Sequence, residues 1–206
     1  EFLGNPGNFG ETHSKSSAAF PWDFWEFREM AGNSGKWLES PNHFVELNST
    51  VDLEMIHVEP GTFRMGSPLT EAGRGTDETE HNVSLTKEFY LGKYEVTQAQ
   101  YEAVMTGNSN GLNPNPSNWP NNPNRPVEKV SWDDIEICLP RLNDAEYQAG
   151  RLPPGWSYTL PTEAQWEYAC RAGTSSSYSF GDNIEDLYQY GWFKSNSNDS
   201  YHKVKQ

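Results

Sequence analysis

Cysteine is nearly absent from this chain of 206 residues, which carries only Cys138 and Cys170. Two thiols cannot build the disulfide framework of a small secreted scaffold, and they leave the redox compartment open. Cationic residues are scarce as well. Fifteen Lys and Arg stand against 29 Asp and Glu, for a formal net charge of −14. Nucleic-acid backbones and anionic lipid headgroups require the opposite sign, so neither is expected as a partner. No apolar run approaches the ~18–20 residues that a membrane span needs. No internal repeat with a period of roughly 20–50 residues is visible, which excludes a solenoid or a propeller. The first residue is Glu1, and no signal-peptide pattern follows it, so the start is read as cut.

Aromatic residues, by contrast, are abundant at 14%, with eight Trp. That content suits a loop-rich fold held by ring plugs, or an extracellular binding surface. The length fits one domain, or one domain with an extension. Residues 1–50 mix Gly, Asn, Ser and Pro with the cluster Phe20-Pro21-Trp22-Asp23-Phe24-Trp25-Glu26-Phe27. They are expected to be a linker or the tail of a preceding region, with one short helix over 22–31. The domain proper is expected over 51–206.

From Val51 the hydrophobic pattern sharpens. Leu53, Met55, Ile56 and Val58 predict a strand, and Glu59-Pro60-Gly61-Thr62 a turn. A second strand through Phe63 and Met65 makes 53–66 a hairpin candidate. Residues 67–81 form an acidic loop, and Val83, Leu85, Phe89, Leu91 and Tyr94 alternate as a further strand pair. Three helix starts carry capping signals: Thr97 with Gln100, Ser131 with Asp134, and Thr162 with Gln165. The second helix contains Pro140, which is expected to kink or shorten it. Tyr158-Thr159-Leu160 reads as a short strand. In the third helix Trp166, Ala169, Cys170 and Gly173 share one face, which predicts a buried indole. The Asn- and Pro-rich stretch 107–126 predicts a long irregular loop.

Four blocks then point to a family. They are Met55-Ile56-His57-Val58-Glu59-Pro60-Gly61-Thr62-Phe63-Arg64-Met65-Gly66-Ser67, Phe89 to Thr97, Arg125 to Asp134, and Leu160 to Gly173. In this order and spacing the chain resembles the formylglycine-generating enzymes, or sulfatase-modifying factors, over about 53–206. The resemblance implies an α+β, C-type-lectin-like fold that is loop-rich, with short strands and about three helices, incomplete at its C-terminus. It implies an oxidoreductase that oxidises a sulfatase cysteine to formylglycine with oxygen, on copper held by two thiolates, with calcium as a further cofactor. The implied partner is a protein substrate, and a bacterial, extracytoplasmic or secreted setting is favoured. The family's copper-binding cysteines lie in its C-terminal half, beyond the match. Cys138 and Cys170 align instead with positions that form structural disulfides in some members. No catalytic, cofactor-binding or metal-binding residue is therefore assigned to this chain, and taken by itself it is expected to be inactive. The alternative is a non-catalytic, lectin-like binding module for protein or glycan. A third branch, iron-dependent sulfoxide synthases, brings a His-rich helical domain that residues 1–50 do not resemble.

The remaining candidates have plainer readings. Cys170 lies late in a helix, where the dipole disfavours a thiolate. Cys138 shares its core reading. Glu78, Glu80, His81 and His57 fit no zinc spacing. Asn196, Asn198 and Asp199 are oxygen-rich but lack an alternating calcium loop. Trp119, Trp132, Trp156, Trp166 and Trp192 are expected as core plugs more than as sugar platforms. Asp133 and Asp134 are adjacent on a helix, so they do not face each other as an acid pair.

Overall fold

The computed structural model describes residues 43–71 and 73–204. The aromatic cluster at 20–27 and the helix expected at 22–31 lie outside the described residues. The element order is β1 (His43–Asn48), β2 (Val51–Val58), β3 (Gly61–Met65), β4 (His81–Leu85), β5 (Phe89–Gly92), α1 (Gln98–Met105), α2 (Trp132–Gln148), α3 (Glu163–Arg171) and α4 (Leu187–Tyr190). A short 3₁₀ turn at Ile184–Asp186 leads into α4. The strand β1, which occupies the end of the leading 1–50 segment, pairs antiparallel with β2.

The strand pairing differs from the two local hairpins that the sequence suggests. One sheet has the order β1-β2-β5 and the other pairs β3 with β4. The pairs are nested: β3–β4 lies inside β2–β5 along the chain. Met55 faces Gly92 and Val58 faces Phe89 in the outer pair, while Gly61 faces Leu85 in the inner one. The 59–62 stretch thus joins two consecutive strands of one long ribbon, and the reversal falls in the loop at 66–80. Two chemical facts explain this. Pro60 has no N–H to give a ladder. Gly61 sits under Tyr168 so closely that an added Cβ would lie 2.1 Å from the phenol oxygen.

All three expected capping boxes form. At the far end of α3 both Ala172 and Gly173 are left-handed. The helix α2 runs unbroken for 17 residues through Pro140. Pro140 and Glu136 are both exposed. At this exposed position water can reach the Glu136 carbonyl that the proline leaves without an N–H, which lowers the cost. The segment 158–160 joins no strand among the described residues. Asn143 of α2 serves as its partner: Tyr158 N–H donates to Asn143 Oδ1 at 2.7 Å, and Asn143 Nδ2 donates to Tyr158 O at 2.9 Å.

Two apolar clusters hold the fold. Val58, Phe89, Leu91 and Tyr168 join the sheets to α3, with Phe63, Leu85 and Ala169 beside them. Tyr101, Met105 and Val130 join α1, α2 and the long loop, backed by Leu112, Val127, Ile135 and Cys138. The loop is anchored by amides more than by its aromatics. Buried Gln98 accepts from Asn122 N–H and donates to Trp119 O, and Asn108 Nδ2 donates to both Met105 O and Leu112 O.

Candidate functional site

A concave surface that combines charge with an apolar floor lies between the β3–β4 ribbon and α3. It is a cleft of about 490 Å³, bordered by Glu59, Phe63, Arg64, Glu80, Tyr168 and Arg171 among others. Its floor exists because α3 turns Tyr168 inward, where the ring meets Phe63 at 5.2 Å between centroids. Its back wall is a polar clamp. Gly66 N–H donates to Glu167 Oε1 at 2.9 Å, and Arg171 Nη2 donates to Gly66 O at 2.6 Å. Arg171 also pairs with Glu167 one helical turn away. Gly66 is required here, since its φ is +86° and a Cβ would meet the carbonyl oxygens of Thr79 and Glu78 at 2.8 and 2.9 Å. On the rim Arg64 pairs with Glu80 at 2.6 Å. The hydrogen bond from Arg64 holds the Glu80 carboxyl below its ordinary range. The i, i+4 spacing of Glu167 and Arg171 is the trace that this clamp leaves in the sequence.

The thiols do not fit a soft-metal pair. Cys138 on α2 and Cys170 on α3 are both free, and neither is well exposed. Burial pushes the Cys138 thiol up to about 11 and raises that of Cys170 as well. Copper(I) needs thiolates, and each environment favours the protonated form instead. Calcium at Asn196, Asn198 and Asp199 fits no better. Asn196 spends its side chain within a turn, accepting from Phe193 N–H at 2.6 Å and donating to Gly191 O at 2.8 Å. Asn198 and Asp199 are left-handed residues of the same turn region.

Glu78, Glu80, His81 and His57 do not come together as a metal cluster. Glu78 accepts from Ser67 Oγ and Gly75 N–H, Glu80 pairs with Arg64, and His81 Nδ1 contacts Thr79 O. His57 instead lies between two glutamates that the sequence reading passed over. Its Nε2 is 2.8 Å from Glu88 and its Nδ1 is 3.6 Å from Glu59. Asp133 and Asp134 sit in the first turn of α2, and Asp134 closes the capping box through Ser131.

The tryptophan expectation requires correction. Trp119, Trp132, Trp156, Trp166 and Trp192 are all exposed, Trp166 to 38% and Trp132 to 49%. On α3 the buried residue is Tyr168. A residue two positions away, such as Trp166, points to the far side of the helix. Several of the exposed rings lie against a second ring at the surface: Trp119 on Tyr201, Trp156 on Tyr90, and Trp192 flat on His202 at 3.7 Å. No described helix is long and apolar enough to cross a membrane.

Comparison with known proteins agrees with this geometry. Residues 43–205 match the family model of the sulfatase-modifying factor enzyme 1-like domain. Chaperone protein LppX of Paenibacillus barcinonensis is 30% identical over 171 residues, covering 69% of this chain and 55% of that protein. The chain thus spans about half the length of this curated relative. Two solved structures share the fold. Treponema denticola variable protein 1 has a TM-score of 0.61 at 24% identity, over 81% of this chain and 70% of that one. PvdO from Pseudomonas aeruginosa has a TM-score of 0.55 at 23% identity, over 71% and 57% respectively. With its small sheets, short helices and long loops in a C-type-lectin-like arrangement, the chain belongs to the sulfatase-modifying factor enzyme 1-like family.

Proposed function

We propose that this chain supplies the framework and client-facing part of a sulfatase-modifying-factor domain. In a longer parent, that domain oxidises a cysteine of a sulfatase-type protein to formylglycine, using oxygen and copper held elsewhere. The observation that carries this reading is the family match over 43–205. The cleft beside α3 supports it: its apolar floor and its rim of both charges suit the side chains of an extended peptide. The raised thiols of Cys138 and Cys170 support placing the copper chemistry outside this chain.

A second reading has its own support. The relative named as a chaperone, together with the exposed indoles, favours a module that binds a protein or glycan without modifying it. One experiment separates the two. A fluorescent Cys-x-Pro-x-Arg peptide is titrated into this chain, and its conversion to the aldehyde is followed by mass spectrometry with copper(I), both for this chain and for the longer parent. Binding by both, with conversion by the parent alone, is the expected outcome. Conversion by this chain would overturn the framework reading. Binding without conversion by the parent would leave the binding module. No binding by either would remove the sulfatase-type client.

A further inference from the structure

We propose that Asn110 is a site of spontaneous deamidation, and that the isoaspartate it forms loosens the loop closing the Met105 cluster. The chain holds a single Asn-Gly step, Asn110-Gly111. It lies in the Asn- and Pro-rich loop that follows α1, where Ser109 and Asn110 form a turn. Asn110 and Gly111 are both exposed. This inference stands apart from the proposed oxidation.

The reaction needs only groups of the chain and water. The backbone nitrogen of Gly111 attacks the side-chain carbonyl carbon of Asn110 and gives up its proton. A cyclic imide closes as ammonia leaves. Water then opens the ring at either carbonyl. One opening gives aspartate. The other gives isoaspartate, in which the main chain runs through the former side chain. A side chain on the residue that supplies the nitrogen crowds this attack, and glycine has none. A Cβ at Gly111 would meet nothing within 4 Å, so the ring has room to close. Among the described residues Asn110 is held through its backbone N–H, and its carboxamide has no hydrogen-bond partner to restrain it.

The neighbouring asparagines each lack one of these features. Asn113, Asn115 and Asn122 precede proline, whose nitrogen carries no proton to give up. Asn118, Asn121 and Asn124 precede Trp119, Asn122 and Arg125, which crowd the attacking nitrogen. Asn108 is fully committed. Its Nδ2 donates to Met105 O at 2.9 Å and to Leu112 O at 2.8 Å. Its Oδ1 accepts from Asn110 N–H at 3.1 Å and from Leu112 N–H at 3.0 Å.

That clasp gives the modification its consequence. Asn108 holds the chain on both sides of the reactive step, at Asn110 and at Leu112. Isoaspartate adds a methylene to the main chain between those two points, so the two N–H groups no longer fit one oxygen. Leu112 packs against the Met105 cluster, and the seal loosens there. Aspartate keeps the chain length and puts its charge in water, so it leaves the clasp intact.

Ageing the folded chain at mildly alkaline pH, followed by digestion and mass spectrometry with electron-transfer fragmentation, tests this. A mass gain of about one dalton is expected on the peptide carrying Asn110, ahead of every other described asparagine, with isoaspartate as the larger product. The urea midpoint is expected to fall as the isoaspartate fraction grows. Asn110→Gln, at an exposed position, should lose both the mass gain and the drift in midpoint. Fresh Asn110→Asp should match the parent midpoint, which separates the added charge from the lengthened chain. No gain at Asn110, or an equal rate at Asn118, would overturn the site. A gain with an unchanged midpoint would overturn its coupling to the loop.

Discussion

The two apolar clusters are closed in different ways. Around Met105 the helices α1 and α2 and the long loop seal every side, and Met105 is fully buried. Amide and guanidinium groups finish the seal. Arg141 donates to Val104 O and Thr106 O at the end of α1, where a cation also suits the dipole. The cluster between the sheets and α3 is thinner. Phe89, Leu91 and Tyr168 each keep about 9% of their surface exposed, and the cleft opens beside them. There α3 is tied down by the Glu167–Arg171–Gly66 clamp. The difference separates a more closed half from a half that borders the cleft.

The largest expected effect tests that contrast directly. Met105→Ala should cost about 3 kcal/mol in urea titration, because a sealed site cannot collapse around the lost atoms. Leu91→Ala removes a residue at the margin of the thinner cluster and should cost less, about 2 kcal/mol. If Leu91→Ala proved the costlier change, the sheet and α3 would form the true core and the contrast would be inverted.

The cysteines sharpen the same comparison by a chemical route. Burial lifts the Cys138 thiol from an ordinary value near 9 to about 11, so its thiolate fraction at pH 8 falls about a hundredfold. Alkylation by iodoacetamide should be slower by a similar factor than for an unfolded peptide, and slower than at Cys170 beside the thinner cluster. The sign for stability follows from the raised value. The folded state holds the proton more tightly, so this contribution is complete below pH 9 and is lost as pH climbs through 11. The urea midpoint should fall over that interval, and fall less in Cys138→Ala. Faster alkylation at Cys138 than at Cys170 would break the assignment of the sealed side.

What the sequence made legible is what local chemistry decides. A capping box needs two residues three apart, and Thr97, Ser131 and Thr162 all became helix starts. The family blocks carried the fold, because their spacing encodes the order of elements. Pairing was less legible. Val58 and Gly61 looked like two arms of one turn, yet each found its partner beyond the 66–80 loop, a choice set by Tyr168 and other residues far along the chain. The Glu59, Glu88 and His57 cluster was hidden for the same reason: Glu88 reaches His57 only through that nested register. The helix face of α3 was ambiguous because Trp166 and Tyr168 are both large aromatics on different sides of one short helix.

That ambiguity gives the smallest expected effect. If Trp166 were the anchor of α3, its replacement by Ala would cost about 3–5 kcal/mol. At 38% exposure the indole gives up only part of its surface to the fold, and Ala is the better helix former by a few tenths of a kcal/mol, which offsets part of the loss. Trp166→Ala should therefore lower stability by about 1–2 kcal/mol in denaturant titration, well short of the buried-indole value. The side chain that fixes this helix is Tyr168, whose ring covers Gly61 and floors the cleft, while Trp166 remains on the outer surface. A loss near the buried-indole value would return Trp166 to the core and rotate α3 by about half a turn, and the cleft would then lose its aromatic floor.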